Sequence, residues 1–336
     1  MDNSISISLL DLGIVVEGQN IPDALKEIVY NAQHIESLGY KRIWIAEHHN
    51  TASASTAATA VLIGHIAERT TTLRVGSGGT MLPNHTPLAV AEQFGTLDIL
   101  YPDRIDLGLG RAPGTDQLTA AALRRNNLST TYHFPKDVKD LQQYFSKENS
   151  SSKVRAFPGE GRNVPIWIFG SSTDSAYLAA ELGLPYVFAS HFAPALLLTA
   201  IDIYKKNFKP SVYNDRPYLM VGANVIVADT NEEATFLGTS LQQLIYGLVT
   251  GNPTKLLPPV KKLPLPFFRS DVRQSLHNML ACTFCGDKEK VRIQIRDFMK
   301  KTGADELFIT NYIYDKAARF RSFELLAEAM GLKSLA

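Results

Sequence analysis

The sequence has little cysteine, little net charge and no long apolar run. Two cysteines in 336 residues argue against a disulfide framework, and a net charge of +1 leaves no electrostatic footprint for nucleic acid or an anionic membrane surface. No stretch approaches the roughly 18 consecutive apolar residues of a membrane span. The start, Met1–Ser4, lacks the basic and apolar regions of a secretory signal. These absences predict a cytoplasmic protein that binds neither nucleic acid nor membrane.

The chain contains short apolar segments that alternate regularly with longer segments in which apolar residues recur at helical spacing. Apolar content is 45%, which is ordinary for a globular protein. Predicted helices separate the apolar segments, and the last predicted helix spans Ala317–Met330. The predicted strands are Ile5–Leu10, Arg42–Ala46, Leu73–Gly76, Ile105–Leu109, Pro165–Phe169, Tyr186–Ala189, Leu219–Ala228 and Leu307–Thr310.

Strands that alternate with helices require parallel crossover connections, which are nearly always right-handed. Eight such units over this length favour an α/β fold of the (β/α)₈ TIM-barrel class, in one domain over residues 1–336. An open, doubly wound sheet is the alternative. The segment Gly251–Arg269 is rich in proline, which forbids a regular helix. It predicts a long irregular insertion before the last strand, either a functional lid or a surface excursion with some hydrophobic packing.

The second predicted strand leads directly into Glu47-His48-His49. In a parallel barrel this places a carboxylate and two imidazoles at the carboxyl end of a strand, where barrel active sites are built. Imidazole exchanges protons near neutral pH. We therefore expect His48 to handle a proton, with Glu47 or a backbone group orienting its ring. No second His/Asp cluster occurs at ligand spacing, so no metal is predicted.

Three further strand ends carry residues suited to a flat, phosphorylated ligand. Gly78 and Gly79 follow the third strand, and glycines allow close approach of a ligand to the backbone, although paired glycines more often mean a turn. Arg111 follows the fourth strand, and its planar guanidinium suits a phosphate. The fifth strand leads into small residues that open a helix, whose free N–H groups also favour phosphate, although a plain N-cap is the simpler interpretation. The residues at this helix start are Gly170, Ser171 and Ser172.

Together these motifs resemble the bacterial luciferase-like flavin monooxygenase family, in particular its single-subunit, non-luminescent bacterial members. The likeness runs in the same order over nearly the whole chain. It is carried by Glu47-His48-His49, the run Gly78 to Pro83, the run Pro87 to Gln93, the run Asp103 to Arg111, and Gly303 to Leu307.

The resemblance implies reduced flavin mononucleotide (FMN) at the barrel mouth and a cis peptide at Gly78-Gly79 against its ring. His48 matches the family's catalytic histidine. A separate flavin reductase and a homodimer are also implied. The phosphate contacts carry over to Arg111, Gly170, Ser171 and Ser172.

The leading functional hypothesis is a monooxygenase that uses reduced FMN and O₂ to oxidise a small organic substrate. Two alternatives stay open. The first is hydride transfer with a deazaflavin (F420), a reaction that other proteins of this fold perform without oxygen. The second is a flavin-binding protein without turnover. The substrate is not encoded in any motif that the sequence displays.

Overall fold

A computed structural model describes residues 5–112, 114–124 and 133–334 of the chain. In these residues, short strands alternate with helices throughout. The strands are β1 (Ser6–Asp11), β2 (Arg42–Ile45), β3 (Arg74–Met81), β4 (Ile105–Gly110), β5 (Ile166–Gly170), β6 (Tyr186–Phe188), β7 (Leu219–Val227), β8 (Thr283–Gly286) and β9 (Glu306–Thr310). The α-helices are α1 (Ile21–Ser37), α2 (Thr59–Ala67), α3 (Pro87–Leu100), α4 (Gln117–Arg124), α5 (Phe134–Phe145), α6 (Thr173–Leu182), α7 (Leu197–Asn207), α8 (Asn231–Val249), α9 (Ser270–Met279), α10 (Lys288–Thr302) and α11 (Lys316–Met330).

The strands close into a parallel barrel. Strands β1 to β6 pair with their neighbours in chain order, β6 pairs with β7, β7 with β9, and β9 with β1. The predicted (β/α)₈ barrel is therefore confirmed, and each of the eight predicted strands forms part of its wall. None of the helices in the described part of the chain is long and apolar enough to cross a membrane.

Two elements lie outside the predicted pattern. Strand β8 pairs with the carboxyl-terminal part of β7, Asn224–Val227. The amino-terminal part of β7 pairs with β9. Strand β8 has a single large apolar side chain, Phe284, so its sequence does not stand out as a buried apolar run. Helix α9 follows the proline-rich insertion and is largely polar, with only Val272 and Leu276 buried. Its weak apolar stripe explains why the sequence did not reveal it.

The insertion Gly251–Arg269 is irregular, as predicted, and largely exposed, but two buried side chains anchor it to the barrel. Leu256 is 2% exposed and forms a bridge with Val16 in the loop after β1. Phe267 stacks on Tyr246 of α8, with ring centroids 4.1 Å apart. These side chains belong to a second apolar core, which α8 and α9 share with the end of β9. The sequence left two roles open, a functional lid or a surface loop with some hydrophobic packing. The packing supports the surface loop.

An aromatic cluster fills the barrel interior. The ring of Trp44 meets Trp167 and Phe308 edge to face, with centroids 5.3 Å and 5.2 Å apart. Such pairs are favourable geometries for aromatic rings. This inner cluster forms the floor beneath the carboxyl ends of the strands. Its members are Leu10, Trp44, Ala46, Trp167, Val187, Met220 and Phe308.

Beneath that floor, a buried ion network crosses the base of the barrel. The guanidinium of Arg42 donates to Asp106 at 2.6 Å and to Glu306 at 2.8 Å. Burial raises the pKa of both carboxyl groups, but the charge of Arg42, together with a second nearby cation and hydrogen bonds at each carboxylate, outweighs it and holds each pKa below its ordinary value. Both carboxylates are therefore ionised, and Arg42 links β2 to β4 and β9.

We expect Arg42→Met to lower the free energy of unfolding by about 3–5 kcal/mol, because it leaves two buried carboxylates without their shared cation. Urea denaturation measures the loss. The control is Arg292→Met, which removes the exposed ion pair with Glu289 on α10 and is expected to leave the unfolding midpoint unchanged. A loss for Arg42→Met no larger than that of the control contradicts the prediction.

Candidate active site

The residues singled out by the sequence gather at one end of the barrel. Glu47 and His48 follow β2, Gly78 and Gly79 lie in β3, and Arg111 follows β4. Since neighbouring barrel strands are parallel, their carboxyl ends share one mouth. The structure thus brings together side chains that are more than 120 positions apart in the chain, from Glu47 to Ser172 at the start of α6.

Glu47 is a buried acceptor for donors on two segments. Its Oε1 lies 2.9 Å from Nε2 of His49 and 2.8 Å from Nε2 of His85, and it accepts from Asn84 at 3.3 Å. Its Oε2 accepts the backbone N–H of Met81 at 3.1 Å. Burial on its own raises the pKa of Glu47, but these hydrogen bonds outweigh it and leave the pKa lowered. The carboxylate therefore fixes the segment after β2 against the segment after β3.

Of the two groups expected to orient His48, Glu47 or a backbone group, this arrangement rules out Glu47. Within the described residues, the hydrogen bonds of Glu47 go to His49 and His85, while Nδ1 of His48 is buried without a partner. Burial lowers the pKa of His48 more than the charge of Glu47 raises it. The reason is geometric: consecutive residues after a strand point in different directions, so only every second one shares a side with Glu47. The half-buried imidazole of His48 is thus left uncharged at neutral pH.

A third potential metal ligand lies beside Glu47 and His49 in space, although no second cluster occurs at ligand spacing in the sequence. His85 joins Glu47 and His49, and their ligand atoms lie within 4.8 Å of one another. Spacing along the sequence does not reveal this group, because His85 comes from another strand end. Since a carboxylate accepts only from N–H, the two short contacts assign Nε2–H to both imidazoles. Both nitrogens are thereby engaged as donors, and the absence of a metal stays a prediction.

The candidate phosphate residues meet at the start of α6. The guanidinium of Arg111 lies 3.0 Å from Asp174 and 3.5 Å from the hydroxyl of Ser172. Ser172 is the N-cap of α6, because its Oγ accepts the N–H of Ser175. A Cβ on Gly170 would lie 2.4 Å from the Ser175 hydroxyl, so the close fit of β5 to the helix requires glycine. Ser171 completes the turn between them. Ser172 is therefore an N-cap, the simpler of the two interpretations. Its hydroxyl also lies within reach of the Arg111 guanidinium.

Gly78 and Gly79 are joined by a cis peptide bond, as the family resemblance predicted. A Cβ on Gly78 would lie 2.6 Å from Leu10 of the inner cluster, and one on Gly79 would lie 2.9 Å from the carbonyl oxygen of Gly108 in β4. The packing of the barrel itself therefore accounts for both glycines. Their role toward a ligand stays a prediction.

The structure shows buried polar atoms in the upper part of the barrel that have no hydrogen-bond partner among the described residues and that the sequence does not reveal. Besides Nδ1 of His48, the buried atoms without a hydrogen-bond partner include Oγ1 of Thr80, Nε1 of Trp167 and Nδ1 of His191. Buried polar atoms are nearly always paired with protein, water or ligand. Nδ1 of His48 and Oγ1 of Thr80 lie near the carboxyl ends of β2 and β3 and offer hydrogen-bonding positions to a bound molecule. Trp167 belongs to the floor, and Nδ1 of His191 is directed at Gly222 of β7. The one sequence signal for His191 is its position just after the sixth predicted strand.

Burial lowers the pKa of His191 to about 4, which predicts a pH-dependent loss of stability. The unfolded chain protonates this histidine as the pH falls below about 6.5, whereas the folded chain resists until about pH 4. Stability is therefore fully present above pH 6.5 and is lost as the pH falls toward 4. Between pH 7 and pH 5 we expect the wild type to lose about 2 kcal/mol more than His191→Asn, measured by urea denaturation. Parallel losses in the two proteins would disprove it.

Solved structures share this architecture. That of apo-MsnO8 superposes with a TM-score of 0.88 at 31% identity, covering 98% of this chain and 99% of that chain. Two others share the fold at lower identity and differ in cofactor. The oxygenating constituent of 3,6-diketocamphane monooxygenase from Pseudomonas putida, in complex with FMN, has a TM-score of 0.71 at 17% identity over 99% of this chain and 100% of that chain. An F420-dependent secondary alcohol dehydrogenase has a TM-score of 0.67 at 16% identity over 97% and 99%.

Sequence comparison defines the relationship further. Residues 11–306 match the model of the luciferase-like monooxygenase family, a span that contains the mouth residues described above. A luciferase-like monooxygenase of Escherichia coli is 47% identical over 324 residues, which cover 96% of each chain. The chain belongs to the luciferase-like monooxygenase family.

Proposed function

We propose that this protein is an FMN-dependent monooxygenase that oxidises a small organic substrate with O₂. The observation that carries the proposal is the meeting of Arg111 with Ser172 at the start of α6, beside the mouth that holds His48. A guanidinium and a helix N-terminus together favour a phosphate group. FMN has one such group on a flat ring system, and it accompanies this fold in the diketocamphane monooxygenase constituent.

The residues present fit a phosphate at this position. Arg111 pairs with Asp174, but the two side chains are 42% and 71% exposed, so water weakens their attraction. A phosphate with up to two negative charges competes well for the same guanidinium. The first N–H groups of α6 point toward the same region, and the helix dipole adds to their effect.

When bound, reduced FMN supplies the electrons that activate O₂. The chain contributes a proton acceptor and an apolar surface that excludes water. His48 is uncharged at neutral pH, and its Nδ1 has no partner, so it holds or releases a proton at that atom as the substrate reacts. The buried rings of Trp44 and Phe308 close the floor and exclude water from below. We expect a separate reductase to deliver the reduced cofactor, and a homodimer to be the assembled form, as the resemblance implies.

A second candidate is hydride transfer with F420, which the shared fold of the F420-dependent alcohol dehydrogenase favours. The two functions differ in oxygen consumption and in the absorbance spectrum of the cofactor that the purified protein retains. A flavin spectrum together with substrate-dependent oxygen uptake supports the monooxygenase. A deazaflavin spectrum without oxygen uptake supports the alternative.

We expect Arg111→Ala to weaken FMN binding about 10- to 100-fold, because a charge-assisted hydrogen bond is lost, and to leave riboflavin binding unchanged. Flavin fluorescence quenching measures both dissociation constants. The matched control is Asp174→Asn, which removes the competing carboxylate and leaves FMN binding equal or tighter. Equal losses for FMN and riboflavin in Arg111→Ala would contradict a phosphate contact.

We expect His48→Ala to bind FMN normally and to turn over about 10²- to 10⁴-fold more slowly, as is usual when a general acid or base is removed. The assay follows substrate-dependent oxygen uptake over a panel of aldehydes, ketones and thioethers, with a flavin reductase supplying reduced FMN and released peroxide subtracted. His65→Ala, on the exposed side of α2, is the control. Unchanged turnover in His48→Ala would remove the assigned role.

A further inference from the structure

His191, just beyond β6, lies inside the barrel rather than on its surface. A Cβ on Gly222 of β7 would lie 2.3 Å from Nδ1 of His191. Alternate residues of β7 face inward, as Met220 of the inner cluster shows, so Gly222 faces inward too. The imidazole therefore covers the inner side of β7, in the space that the missing side chain leaves open.

The backbone around His191 is tied to β7. The hydroxyl of Ser190 donates to the carbonyl oxygen of Gly222 at 2.5 Å. The side-chain amide of Asn224 donates to the carbonyl oxygen of His191 at 2.9 Å. His191 is only 7% exposed. These contacts fix the ring with Nδ1 directed at Gly222, so that the opposite ring nitrogen, Nε2, faces away from β7 toward the mouth.

His191 and His48 stand on opposite sides of the mouth. In the closed order of eight barrel strands, β6 lies four strands from β2 in either direction, which is directly across the axis. Phe308 of the floor lies between them. It is in register with Gly222, and its ring would be 3.5 Å from a Cβ on Gly78. A molecule resting on Phe308 is therefore bordered by His191 on one side and by the strand of Gly78 on the other.

The chemistry of these surroundings restricts the molecule that fits. Burial keeps His191 uncharged at neutral pH, since its pKa is about 4. The floor is aromatic, and placing an ion on it carries a large desolvation cost. Because Nδ1 is directed at Gly222, a neutral imidazole here offers its one hydrogen bond at Nε2, as donor or acceptor according to its tautomer. A ligand with one polar group on an apolar body satisfies both features.

We infer that His191 is a second histidine of the substrate site, which binds the single hydroxyl or carbonyl group of an uncharged, largely apolar organic substrate from the side opposite His48. This inference rests on the proposed function only in that it takes the barrel mouth as the place where substrate binds. It assigns His191 a contact with substrate and His48 the proton transfer.

The test uses two probes of nearly equal shape, 1-phenylethanol and isopropylbenzene, which differ by a hydroxyl in place of a methyl group. A hydroxyl donates and accepts, so it suits either tautomer of His191. Dissociation constants are measured by NMR titration on protein loaded with oxidised FMN, where no turnover occurs, and on protein without FMN.

We expect His191→Phe to raise the dissociation constant of 1-phenylethanol about fivefold or more, the usual effect of one lost hydrogen bond, and that of isopropylbenzene less than about twofold. His191→Gln keeps a hydrogen-bonding atom near the position of Nε2 and is expected to retain most of the affinity for the alcohol. His34→Ala removes a histidine that stacks on Phe320 outside the barrel and is expected to change neither constant.

A second variant tests the same contact without altering the histidine. In Gly222→Ala the new Cβ displaces the imidazole, so the affinity for 1-phenylethanol is expected to fall as in His191→Phe. The matched control is Gly238→Ala on α8, where a Cβ would have Cys285 as its nearest neighbour at 3.4 Å. No change is expected there.

Four results would overturn the inference. They are equal losses for both probes, no loss for either, failure of the wild type to bind either probe, and a matching loss of FMN affinity, which would place His191 against the cofactor. Failure of the proposed function has a different signature: the wild type would not bind FMN, or would take up no oxygen with any member of the substrate panel. The probe titrations without FMN keep the two outcomes separate.

Discussion

The sharing of one guanidinium by two buried carboxylates holds the base of this barrel together. Arg42 of β2 reaches Asp106 of β4 and Glu306 of β9, so strands that do not pair with one another are joined through the interior. Hydrogen bonds between neighbouring strands close the wall, but they leave the interior to be filled. Charges at the base and aromatic rings above them fill it, and polar atoms without partners occur at the carboxyl ends. The ordered floor below is what gives those atoms fixed positions.

At the mouth, two adjacent histidines have different tasks. His49 is held by the carboxylate of Glu47, together with His85 from the next strand end. His48 keeps Nδ1 free. Because successive residues leave a strand in different directions, one histidine joins the two loops while its neighbour keeps an unpaired ring nitrogen. Glu47, one of the two groups expected to orient His48, instead anchors the surrounding segments.

Much of this could be predicted from local patterns. Short β-branched runs between helical periods predicted the eight barrel strands, and the parallel topology then placed His48, Gly78, Gly79 and Arg111 at one end. Strand β8 and helix α9 were missed because the first has a single large apolar side chain and the second has too narrow an apolar stripe. His85 and His191 were missed for another reason: their meaning depends on neighbours from other strands.

The sequence by itself determined the fold class, the end of the barrel at which the site forms, and the family to which the chain belongs. Each depends on periodicity or on the order of motifs along the chain, which are local or one-dimensional properties. Only the tertiary structure decided which residues contact Glu47, that the insertion packs through Leu256, and that His191 covers Gly222 opposite His48. These depend on distances between segments far apart in sequence, which are set by strand pairing and barrel closure.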